Sequence, residues 1–198
     1  MQIYNQKKGL YIQAYEPFDN NKRYQDEYTE RANTTPYYNP EVFKARKKWI
    51  ESRIDLTKAF DYGAGMSPYY TKLPENPQPM GMYDKYTEPY QIFNTHDYFN
   101  SESILLLDVL EHLFDPHLFL RTIPHKNLLI SIPCVPYKYF YHLDQIKDWK
   151  HLRAGEHLLY ANEEGIYDIL EECGWTIKES GEWEGPIRED ILCLIASR

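Results

Sequence analysis

Five consecutive residues, Asp61-Tyr62-Gly63-Ala64-Gly65, carry the first sign of chemistry in this chain. A strand-like run over 56–60 delivers the acid. Two glycines follow one residue apart, then Ser67 and Pro68, a capping hydroxyl and a proline that needs no donor, as at a helix start. Glycine tolerates positive φ and sets no side chain between backbone and ligand. Strand, glycine turn and helix start together make a nucleotide-sized crevice at the end of a sheet. Asp84 stands nineteen residues beyond Gly65. Dinucleotide folds place there the carboxylate that accepts ribose hydroxyls. Those hydroxyls are adjacent donors, and one carboxylate can take both.

A second group lies further on, where the apolar run 104–107 ends in Asp108-Val109-Leu110-Glu111-His112. Histidine titrates near neutrality, so His112 and, more distantly, His157 are the candidate general bases. Asp108, Glu111 and His112 share one face at helical spacing. With a distal His142, His151 or His157 they would supply two oxygens and two nitrogens to a divalent metal. Asp-x-x-Glu is equally a capping box at a helix start, and the expectation is the cap, with no metal. Over 40–53, Val42, Phe43, Arg46, Trp49, Ile50 and Arg53 fall on one side of a helix begun by Asn39 and Pro40. Arg46 thus points with the apolar face, towards Asp61 or a ligand's carboxylate.

The pattern Asp-x-Gly-x-Gly resembles the first motif of class I S-adenosylmethionine-dependent methyltransferases. The phrase Leu107-Asp108-Val109-Leu110-Glu111-His112-Leu113-Phe114-Asp115-Pro116 after an apolar strand looks like the fourth-strand motif of the ubiquinone-biosynthesis-like small-molecule group (methyltransferase types 11 and 23). The strand ending Ser131-Ile132-Pro133-Cys134 continues the likeness, which covers roughly residues 43–196. The resemblance implies an α/β, Rossmann-like fold: a mostly parallel seven-stranded sheet with an antiparallel C-terminal edge hairpin, trimmed in the middle. It implies S-adenosylmethionine as cofactor. Asp61, Gly63, Ala64 and Gly65 would line its methionine end, joined by Arg46. Asp84 and Lys85 would meet the ribose, Asp97 and Tyr98 the adenine, and Asp108 and Val109 the mouth towards the acceptor. Ser67 departs from the family's frequent third glycine. Pro68 replaces the last glycine of a nicotinamide-type Gly-x-Gly-x-x-Gly, which disfavours a dehydrogenase. The implied activity is methyl transfer to a small or modified polar acceptor. The alternative is a degenerate methyltransferase-like module that binds cofactor or a protein partner without catalysis.

The elements that must position these groups are legible in outline. The 198 residues suit one domain with a real core. Residues 1–39 read as a tyrosine-rich leader packing on it, with one helix near 20–32. Residues 40–198 read as the domain, with 135–160 a substrate-covering insertion. Strands are expected over 56–60, 80–83, 91–94, 104–107, 127–132, 176–179 and 191–196, with helices over 40–53, 116–123 and 162–173. The interval from Tyr86 to Ser103 leaves room for the short strand over 91–94 but hardly for a full helix. Cys134, Cys173 and Cys193 have no paired spacing, as suits reduced thiols in a cytoplasm. No run approaches the roughly 18 apolar residues of a membrane span. The net charge of −8 disfavours, without excluding, nucleic acid as a partner. Oligomeric state leaves no trace in the sequence.

Overall fold

Buried parallel strands read as unbroken apolar runs because both of their faces meet helices. Ser103–Leu107 shows how this chain does it: Ile104 and Leu106 enter one core cluster, and Leu105 enters the other. Alternate side chains of a strand point to opposite faces, so one run serves two cores. The computed structural model describes residues 2–5, 10–13, 40–65, 78–85, 92–140, 143–153, 156–185 and 187–198.

Along the chain come β1 (Gln2–Asn5), β2 (Leu10–Gln13), α1 (Pro40–Glu51), β3 (Ala59–Tyr62), β4 (Gly81–Tyr83), α2 (Thr95–Asn100), β5 (Ser103–Leu107), α3 (Pro116–Thr122) and β6 (Asn127–Pro133). Then follow α4 (Tyr137–Phe140), β7 (Leu159–Ala161), α5 (Glu163–Glu172), β8 (Thr176–Gly181) and β9 (Ile191–Ser197). The main sheet has six strands in the order β4-β3-β5-β6-β9-β8. β4, β3, β5 and β6 run parallel; β9 and β8 return antiparallel. This is the expected doubly covered α/β sheet with an antiparallel C-terminal hairpin.

One layer is built on Ile104, Leu106, Ile130 and Leu194, covered by Leu120 of α3, Ile166 and Leu170 of α5, and Trp175. The Trp175 indole N–H donates to the Leu120 carbonyl at 2.9 Å, so this large ring is buried without an orphaned donor. The other layer sets Trp49 and Ile50 of α1 against Ala59, Leu105, Leu129 and Cys193.

The sheet departs from expectation in three places. Among the described residues there are six strands in it, not seven. The strand expected over 91–94 is absent from residues 92–94, because Asn94 instead caps α2, accepting from the Asp97 N–H. That cap makes a helix where little helix was expected. The strand expected over 56–60 begins only at Ala59, since the Asp55 carboxylate captures the Thr57 N–H and turns residues 56–58 into a short 3-10 helix. A second, three-stranded sheet, β1-β2-β7, was not foreseen. It pairs two strands of the expected leader with one from the expected insertion. The helices expected near 20–32 and after Pro68 lie outside the described residues. Among the described residues no helix is long and apolar enough to cross a membrane.

Leu106 is fully buried at the centre of the larger core. Leu106→Ala is expected to lower the unfolding free energy by about 2–5 kcal/mol. Phe114→Ala, at a largely exposed ring, should change it by less than about 0.5 kcal/mol. Urea unfolding followed by circular dichroism measures both; equal losses would contradict this placement of the core.

Candidate cofactor and acceptor site

The parallel strands end on one edge, and most of the expected site residues gather there. Past β3 the chain turns through Gly63 (φ 79°) and Gly65 (φ 62°), in the left-handed region that favours glycine. The Gly63 and Ala64 N–H groups donate to the Tyr83 carbonyl at 2.7 and 3.0 Å, pinning the turn to the end of β4. The Gly65 N–H donates to Asp84 Oδ2 at 2.8 Å. Asp84 is thus turned inward, 8% exposed. Gly63 is required for space as well, since a Cβ there would stand 2.4 Å from Val109 Cγ2. A shallow cleft of about 430 Å³, open mouth included, is lined by Arg46, Asp61, Gly63, Ala64, Phe43 and Leu107.

Asp108 follows β5 in an unusual conformation for a residue with a Cβ, φ 58°. Its carboxylate explains how it is held. Arg188 donates to both oxygens at 2.8 and 3.0 Å, and Arg46 donates to Oδ2 at 2.5 Å. Glu184, wholly buried, accepts from Arg46 Nε at 2.9 Å, Arg188 at 2.7 Å and the Ser131 hydroxyl at 2.6 Å. This four-member ion cluster joins α1, the end of β5, β6 and the loop before β9. Burial alone would raise the Asp108 carboxyl, but the Arg188 and Arg46 guanidiniums outweigh it and hold it well below the usual carboxylate range. Arg46 therefore reaches Asp108 and Glu184, rather than Asp61 as the helix face suggested. Glu184 and Arg188 were missed in the sequence; they sit in an irregular loop with no spacing to mark them.

A third group lies beside the cluster. Residues Leu110–His112 form one 3-10 turn with no side-chain cap, so the expected capping box is not made; its acid is taken by the arginines. Leu158 donates its N–H to the Glu111 carbonyl at 2.7 Å, which brings the strand leading into β7 against this turn. His157 thereby packs edge-on against His112, ring centroids 4.8 Å apart. His112 Nδ1 lies 2.8 Å from the Glu156 carbonyl oxygen. Glu111 is 1% exposed and His157 5%. Burial, then the nearby Asp108 charge, raises the Glu111 carboxyl. Burial lowers His112, and burial with the neighbouring His112 lowers His157 to about 3. Both imidazoles are therefore weaker bases than the sequence alone implies.

Not every expected residue joins this edge. Asp97 and Asn94 bond reciprocally, Asn94 Nδ2 to Asp97 Oδ2 at 2.6 Å and the Asp97 N–H to Asn94 Oδ1 at 3.3 Å. Asp97 thus lies in the first turn of α2, bonded to its cap Asn94. Its Cβ lies against Gly81, at the start of β4, three residues or about 10 Å from the end that leads to Asp84. Tyr98 packs on Phe60, Phe93 and His125 within the aromatic core. Asp97 thus stands nearer the start of β4 than the end that leads to Asp84. Lys85 is exposed beside Asp84. His151 Nε2 lies 3.0 Å from the Glu189 carbonyl oxygen, in the loop before β9, and is not part of the histidine group. His142 lies outside the described residues.

Solved structures resemble this arrangement over most of its length. A chain from the Haloferax volcanii complex of the Trm112 methyltransferase activator with a methyltransferase has a TM-score of 0.60 at 12% identity, covering 87% of this chain and 96% of that one. The S-adenosylmethionine-dependent methyltransferase of Thermotoga maritima gives 0.55 at 9% identity, covering 88% and 96%. The 1,6-didemethyltoxoflavin N1-methyltransferase of Burkholderia thailandensis gives 0.52 at 12% identity, covering 98% and 97%. The chain has the class I methyltransferase fold. No family model and no curated protein sequence matches it. In this fold the carboxyl ends of the parallel strands form the ligand-binding crevice, which is where the glycine turn and Asp84 lie.

Removing one member of a buried ion cluster strands the charges left behind. Glu184→Gln is expected to cost about 3–5 kcal/mol in urea unfolding, and Arg46→Met combined with it should cost less than the sum of the two. Because the folded Asp108 carboxyl is depressed, its contribution is present above the unfolded value of about 4 and is lost as pH falls below that. Asp108→Asn should therefore flatten the acid limb of the stability profile below about pH 4. An unchanged limb would contradict the two-arginine clamp.

Proposed function

We propose that this chain is an S-adenosylmethionine-dependent methyltransferase acting on a polar acceptor, with the cofactor lying along the carboxyl edge of β3 and β4. The observation that carries this reading is the inward-turned Asp84, bonded to the N–H of Gly65 beside a turn whose Gly63 has no room for a side chain. The Burkholderia thailandensis neighbour was solved with S-adenosylhomocysteine bound, which supports the same ligand class here. S-adenosylmethionine supplies an electrophilic methyl group on a sulfonium that leaves readily. The protein's task is mainly to align two partners.

In this reading Asp84 accepts the ribose hydroxyls, and the backbone of Gly63, Ala64 and Gly65 lies beside the methionine end with Asp61. Arg46 lines the same cleft while its guanidinium braces Asp108. Val109 closes over the glycine turn. His112 and His157 stand at the acceptor side. Asp97 and Tyr98 are left out, since Asp97 is bonded to the cap Asn94 and Tyr98 packs against the core. A module without catalysis is the less favoured reading, because the acids that meet the crevice, Asp61 and Asp84, are both present and inward-facing.

Titration calorimetry with S-adenosylmethionine, S-adenosylhomocysteine and NAD tests this directly. The two sulfur nucleosides are expected to bind with micromolar affinity and NAD not at all. Asp84→Asn should weaken them by at least about tenfold, the scale of a lost hydrogen bond to a charged group, while Asp97→Asn leaves affinity unchanged. Absence of heat at millimolar nucleoside would overturn the assignment.

A further inference from the structure

We propose that Glu111, His112 and His157 form a binding site for one divalent first-row transition-metal ion, open to an oxygen of the methyl acceptor. Among the described residues these three make the one group of three or more metal-ligating side chains, and their ligand atoms all lie within 4.8 Å of one another. Two carry a mark that packing does not explain. Neither Glu111 oxygen has a hydrogen-bond partner among the described residues, and neither does His157 Nδ1; all three atoms are buried. Buried polar atoms are nearly always paired, and a carboxylate out of water is tolerated when it is paired or holds a metal.

His112 supplies the complementary observation. Its Nδ1 sits 2.8 Å from the Glu156 carbonyl oxygen, an acceptor only, so Nδ1 carries the proton and donates it. Nε2 then presents its lone pair. Metal-bound histidines are oriented in this way, by donating the other ring N–H to a carbonyl or carboxylate. Nε2 lies 4.0 Å from Glu111 Oε1. Ligands on a tetrahedral ion at about 2.1 Å stand about 3.4 Å apart, so closure takes rotation of side chains already converging. The backbone is fixed for it, since the Leu158 N–H holds the Glu111 carbonyl and sets His157 beside the turn.

Two nitrogens and one carboxylate favour zinc, iron, cobalt or manganese over calcium. Three protein ligands leave positions for an outside oxygen, the pattern of catalytic rather than structural metal sites. His112, with 28% of its side chain exposed, is the open side. The turn follows directly on Val109, whose side chain lies against Gly63, so the ion would stand one turn from the proposed methyl donor. The acceptor role rests on the methyltransferase reading; the metal site itself does not.

Protein stripped with a chelator and titrated with Co²⁺, read by visible absorption and calorimetry, tests the proposal. The expected result is one Co²⁺ per chain with micromolar or tighter affinity, d–d bands, and displacement by Zn²⁺. Glu111→Gln and His157→Asn should each weaken binding by at least about tenfold, and His151→Ala, outside the group, should not. Circular dichroism and melting of the metal-free variants keep a folding defect separate. Should a variant fail to fold, the wild type decides by its d–d bands: nitrogen-shifted tetrahedral or five-coordinate bands support the site, and the spectrum of aquo-Co²⁺ overturns it. Stoichiometry well above one, or binding untouched in both folded variants, also overturns it. Calorimetry with S-adenosylhomocysteine on the stripped protein is run beside it: nucleoside binding without Co²⁺ binding sinks the metal alone, and the reverse sinks the methyltransferase reading alone.

Discussion

Two guanidiniums on one carboxylate set the geometry of the strand ends where the candidate site lies. Asp108 leaves β5 at φ 58°, a conformation that costs free energy for a residue with a Cβ and persists only where surroundings over-determine it. Arg188 and Arg46 do so, and Glu184 balances their charge from a fully buried position. The cluster adds little net stability against a well-packed apolar substitute, because burying four charges forfeits their hydration. What it adds is position. It fixes α1, the end of β5, β6 and the loop before β9 around one point, using the planar, several-donor fork that only arginine offers.

From that point the two parts of the site diverge. Because Asp108 turns left-handed, Val109 falls back against Gly63 and closes the glycine turn. The next residues then form a single 3-10 turn rather than a capped α-helix, which drives Glu111 inward to meet His157. The crevice and the histidine group are thus two consequences of one backbone reversal. This also accounts for an acid that looked like a substrate contact in the sequence being wholly engaged by arginines in the fold.

What the sequence displayed and what it hid follow from range. The apolar run before Asp108 and the glycine pair between two acids depend on local spacing and stand in the structure as read, whereas the strand that carries Asp61 is shifted to Ala59–Tyr62. Asp97 reads in the sequence as an adenine contact; in the fold Asn94, three residues before it, caps α2 and bonds it, and an acid before two aromatics looks the same in either setting. Glu184 and Arg188 bond partners 53 to 138 residues away, apart from their own i,i+4 contact. No local pattern announces such contacts. His157 was named as a candidate, yet its placement beside His112 depends on one backbone bond, Leu158 to Glu111, and the pairing of β7 with β2 depends on strands in a segment whose composition suggested none.

The proposed ligand is a sulfonium nucleoside across the ends of β3 and β4, its sugar against Asp84. A crystal structure with S-adenosylhomocysteine tests it most directly. Density is expected for the ribose diol within hydrogen-bonding distance of the Asp84 carboxylate, and for the amino-acid tail beside Gly63 and Gly65. Density near Asp97 instead, or an Asp84 making no contact with a clearly bound ligand, would contradict it.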